Sequence, residues 1–147
     1  MNHHLLLAIH IVAASVWVGG HLLLAVKYLP KALRERNVQI ILNFEKGYES
    51  LGMPSLLLLV ATGIAMAYDY GVPVSHWFSF SDPIEKVVST KLVLLLSTLA
   101  LAINAQLFVI PKLSEKNLKL MAVHIVLVTL LGVSMLILGT FVRYGGI

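Results

Sequence analysis

Four long apolar stretches run along the chain, separated by shorter polar connections. They cover residues 5–29, 51–68, 92–110 and 120–142. A helix needs about 20 apolar residues to cross the hydrocarbon core of a bilayer. Each stretch is long enough, or nearly so. The first ends at Pro30 and the third at Pro111; Pro54 falls in the first turn of the second, where proline is tolerated. The fourth ends at Arg143 and the pair Gly145–Gly146. The pattern predicts an all-α integral membrane protein, a single up-down four-helix bundle over residues 1–147. Residues 38–48 alternate apolar and polar positions with a helical period. They are expected to extend the second helix or to lie on the membrane surface.

Composition sharpens this picture. Hydrophobic residues make up 59% of the 147 positions and charged residues 12%, with a mean hydropathy of +0.89. A soluble domain carries about 25% charged residues. The start of the chain lacks the basic residues of a signal peptide, so the first stretch is expected to be a retained helix. There are no cysteines, which excludes disulfides, thiolate metal sites and iron–sulfur clusters. The net charge of +4 does not call for nucleic acid, because basic residues collect at the cytoplasmic ends of membrane helices. Lys27, Lys31, Arg34, Arg36, Lys46, Lys112, Lys116 and Lys119 share one side. Lys86, Lys91 and Arg143 share the other. The bias predicts that both termini lie outside, in the inner membrane of a bacterium.

Ionisable residues inside a membrane are costly and mark functional sites. His10 and His21 lie on the first stretch and His124 on the fourth; His76 sits in the outer connection beside Trp77 and Phe78. His10 and His21 return to nearly the same helix face about 16 Å apart, with Trp17 on the same stripe. The predicted topology matches His21 with His124 in depth near the inner face. It puts His10 and His76 together on the outer side. Two imidazoles from facing helices suit haem iron. Gly19, Gly20, Gly63, Gly132 and Gly139 could make room for the macrocycle. Lys91 and Arg143, at the outer ends of helices three and four, are candidates for pairing with haem propionates, or they reach to the headgroups. Copper held by imidazoles with Met53, Met66 or Met135 is also allowed by ligand chemistry, although Met in a membrane helix usually serves packing. Ser97 and Asn104 are expected to bond between helices, and Glu45 and Glu49 to pair with lysines. His3 and His4 read as surface residues.

The stretch from His10 through Trp17, Gly19 and Gly20 to His21, followed by Tyr28-Leu29-Pro30-Lys31, resembles the first helix of CopD-like copper-resistance membrane proteins. So do Phe44-Glu45, Tyr48 to Pro54, Thr62-Gly63, Lys91-Leu92 and the end Gly139 to Gly146. That resemblance covers nearly the whole chain and implies periplasmic copper handling. His10, Trp17, Leu29-Pro30-Lys31 and Lys91 also resemble the four-helix bacterial membrane protoporphyrinogen oxidase. The chain departs from that family in having 115–120 before its last helix in place of a polar, aromatic segment, and in adding His21 and His124.

The leading expectation is a b-type cytochrome carrying one or two haem b groups on His10, His21, His76 and His124. It would pass electrons to a redox partner in the membrane or periplasm, and a homodimer is compatible with it. A copper-binding or copper-transport protein is the alternative. A haem-dependent oxidase of a porphyrinogen is the third reading.

Overall fold

The computed structural model describes residues 3–147. Among them there is no strand, and four helices are long and apolar enough to cross a membrane. These are α1 (His3–Glu35), α2 (Gln39–Asp69), α3 (Pro83–Lys112) and α4 (Leu118–Tyr144). The all-α four-helix expectation holds, and the chain is a multi-pass membrane protein.

Every helix is longer than its apolar stretch, for identifiable reasons. Pro30 does not stop α1, which runs on to Glu35, whereas α3 ends at Lys112, one residue after Pro111. Each proline follows a π-turn, Leu24–Tyr28 and Ala105–Val109 respectively. Proline lacks the N–H of the regular ladder and its ring crowds the preceding turn. A widened turn at that point lets α1 pass its proline. α3 starts early because Asp82 caps it, accepting a 2.9 Å bond from the Glu85 backbone N–H, with Pro83 in the first turn. Lys91 therefore lies eight residues inside α3, about 12 Å from its start, and not at the helix opening. Residues 38–48 are taken almost entirely into α2, which begins at Gln39.

α1 packs against α2 and α4, and α4 against α3. The fourth side, where α2 faces α3, is not closed by a packed seam. Two apolar clusters hold the rest together. Leu24, Leu29, Ile41, Val109, Met121 and Ile125 close the inner, lysine-rich end. Trp17, Val18 and Leu56 lie nearer the middle. At the other end, His3 Nδ1 meets Asp69 at 3.1 Å and its Nε2 meets the Tyr70 hydroxyl at 3.2 Å, joining the start of α1 to the end of α2. His3 is a surface residue, as expected from sequence, and is helical and partnered there.

Candidate functional site

A cavity of about 350 Å³ occupies the open side between α2 and α3. That is within the usual range for ligand pockets, about 300–1,000 Å³. Its back wall carries Trp17 and His21 from α1 and Met121 and His124 from α4. α2 contributes Glu45, Tyr48, Glu49 and Met53, and α3 contributes residues from Leu99 to Ile110. The two inner histidines therefore share one cavity, as their placement in the sequence suggests.

The ring chemistry of His21 is fixed by its neighbours. Its Nδ1 lies 2.9 Å from the Trp17 carbonyl, which can only accept, so Nδ1 carries the proton. Its Nε2 then keeps a free lone pair. The Trp17 ring sits 4.4 Å from the imidazole, and Tyr48 meets it edge-on at 5.9 Å. The Tyr48 hydroxyl lies 3.0 Å from the same Trp17 carbonyl and from that of Val16. A histidine whose Nδ1–H is held by a carbonyl is the usual arrangement of a metal-ligating imidazole.

His124 is buried and engaged at both nitrogens. Nδ1 donates to the Leu120 carbonyl at 2.9 Å. Nε2 lies 2.9 Å from Asn104 Oδ1, and the oxygen and nitrogen of that amide are interchangeable by a flip. In a neutral ring Nε2 accepts, so the amide must turn its NH₂ toward it. The interhelical role expected of Asn104 is real, whereas Ser97 bonds back to the Val93 carbonyl of its own helix.

The two imidazoles do not face each other at one depth. The Thr129 hydroxyl lies 3.2 Å from the His21 carbonyl, which sets His21 level with Thr129. His124 is five residues away, about 7.5 Å along the axis. Side chains lean toward the N-terminus of their own helix, so in antiparallel helices the stagger widens. Of the five glycines expected to make room, only Gly19 has open space beside it, and it is exposed and does not line the cavity. Tyr48 fills the space over Gly20 and Gly52, Val18 the space at Gly132, His10 that at Gly63 and the Lys91 ammonium that at Gly139. The cavity is instead the gap between α2 and α3.

The outer residues form separate groups. His10 Nδ1 lies 2.7 Å from the Thr62 hydroxyl, which gives its own proton to the Leu58 carbonyl. His10 Nδ1 is therefore the donor and Nε2 is open. Lys91 is within electrostatic reach of His10. His76 is bonded not to His10 but to Glu85, through Nδ1 and Oε1. Arg143 is exposed at the end of α4. It stands 19 residues from His124, about 28 Å along the helix, beyond the reach of any group at the inner cavity. Lys91 does not line that cavity either. The charged side chains there are Glu45 and Glu49. Among the described residues the ion pairs are His3–Asp69 and His76–Glu85, so the lysine pairing expected of Glu45 and Glu49 is not formed.

Among the described residues no three His, Asp or Glu side chains gather as a metal-holding group. Any iron or copper here would rest on one or two imidazoles with sulfur or an exogenous ligand. For haem, the open His21 nitrogen and the mostly apolar lining are suitable chemistry. His124 does not fit as it stands, because it is bonded to Asn104 and staggered in depth from His21. Compared with known protein families, curated proteins and solved structures, the chain matches none.

Proposed function

We propose that the gap between α2 and α3 is a haem b site and that the protein is a membrane cytochrome of the bacterial inner membrane. The observation that carries this is the open Nε2 of His21, oriented by the Trp17 carbonyl, on the wall of an apolar cavity shared with His124. Bound haem would supply a one-electron couple whose potential the axial ligand and the dry pocket set. The chain's part is to present His21 as first ligand, to lock its ring through Trp17 and Tyr48, and to exclude water with Leu24, Leu56 and Ile125. His124 is the candidate second ligand, and taking that role requires both release of Asn104 and closure of the stagger of about 7.5 Å between the two rings.

The test is the reduced-minus-oxidised spectrum of the detergent-purified protein together with metal analysis. Sharp low-spin bands are expected, lost in His21→Ala. A His124→Ala variant that turns the spectrum high-spin assigns the second ligand. No haem in the wild-type protein would sink the reading. Copper in its place would favour the alternative, which Met53 and Met121, both lining the cavity, support, since thioether sulfur suits copper(I).

A further inference from the structure

The connection between α2 and α3 is built around one buried carboxylate. Glu85 is 5% exposed. Its Oε1 receives His76 Nδ1; its Oε2 receives the Ser79 hydroxyl and, at 3.2 Å, the Ser81 backbone N–H. Phe80, between the two serines, has φ of 53°. That is left-handed backbone, uncommon for any residue but glycine and a genuine outlier for a bulky one. Such strain persists only where the surroundings over-determine it. Here Glu85 grips the residues on both sides.

This rigid loop exposes apolar groups. Val74 is 56% exposed, Phe78 55% and Phe80 43%. The loop also folds back instead of rising off the bundle. Val72 is buried and its N–H reaches the Ala67 carbonyl at 2.9 Å. The Trp77 ring meets Tyr68, in the last turn of α2, at 6.4 Å edge-on. The exposed apolar face of the loop thus continues the lipid-facing surface of α2, at the depth of that helix's final turn. Aromatic side chains concentrate at this level of a membrane protein, at the boundary between acyl chains and headgroups.

We propose that residues 72–80 form an interfacial anchor, with Phe78 and Phe80 seated in the outer lipid leaflet. The partner is the bilayer surface. Glu85 is the positioning residue that holds the anchor's shape. His76, carried by the same carboxylate, then lies at headgroup level.

Trp77 reports on this directly, since the chain has two tryptophans and the other, Trp17, is buried near the middle of α1. The full chain is reconstituted in phosphatidylcholine vesicles, with lipids brominated either near the headgroup end of the acyl chain or near the bilayer centre. Trp77 fluorescence is obtained as wild type minus Trp77→Phe, which leaves Trp17 untouched. The expected result is strong quenching by the shallow bromines, weaker quenching by the deep ones and little quenching by aqueous iodide. A Phe78→Ser/Phe80→Ser variant, with helix content unchanged by circular dichroism, should gain iodide quenching and lose bromine quenching. Free iodide access in the parent protein would make the loop an aqueous surface, open to a protein partner, and overturn the proposal. Unchanged quenching in the double variant would overturn it too.

Discussion

The Tyr48 ring of α2 lies across Gly20 of α1, so close that a methyl group at position 20 would stand 2.2 Å from it. Aromatic carbons cannot approach that near, so the glycine is a seat for the tyrosine. The same tyrosine bonds the carbonyls at 16 and 17.

Gly20→Ala should therefore expel Tyr48 from its seat. Overpacking of this kind costs about 1–3 kcal/mol. Tyr48→Phe, which keeps the ring and removes the hydroxyl, should cost about 1 kcal/mol. Reversible unfolding in detergent measures both. Equal losses in the two variants would mean that the hydroxyl, and not the fit, holds the helices together.

The C-terminal turn makes a comparable contact. Gly146 has φ of 105°, and a Cβ there would stand 2.2 Å from the Pro83 carbonyl. The next residue, Ile147, donates its N–H to that carbonyl at 3.2 Å. Gly146→Ala should detach the end of α4 from the start of α3. Hydrogen exchange at the Ile147 amide should speed up by at least tenfold. Unchanged protection would show that the clasp does not depend on the missing side chain.

The helices were legible in the sequence because a bilayer demands long apolar runs, and the charge bias marks one end. Their ends were less so. Pro30 looks like a stop, yet a π-turn before it carries α1 on to Glu35, while Pro111 does fall at the end of α3. The early start of α3 was encoded in Asp82-Pro83-Ile84-Glu85, a cap signal masked by the later, stronger apolar run. His21 and His124 stood out because charge is rare in a membrane. Their stagger did not, since it rests on the bond between Thr129 and His21, which are 108 residues apart. Tyr48 escaped notice for a similar reason. Its role is set by a glycine on another helix, and neither residue alone signals it.

Eight basic residues at one end against three at the other predict that both termini face outward. A reporter fused after Ile147 should be active only if exported. One inserted in the turn at 36–38 should be active only in the cytoplasm. The opposite pattern would exchange the inner and outer ends throughout.

His124 and Asn104 provide the sharpest test of the inner site's resting state. Both sit at membrane depth, where an unpaired polar group has no water to turn to. Their bond of 2.9 Å links α4 to α3, which otherwise leave the cavity open toward α2. Double-mutant cycles on hydrogen bonds within membrane proteins average about 0.6 kcal/mol and reach about 1.7. A cycle of His124→Ala, Asn104→Ala and the double variant should give a coupling in that range in cofactor-free protein. The coupling should vanish once haem is bound, if His124 exchanges Asn104 for the iron. It should persist if haem is held by His21 alone, leaving the sixth position open to small molecules. No coupling in the cofactor-free protein would mean that Asn104 does not hold the ring, leaving the stagger from His21 as the barrier to ligation by His124.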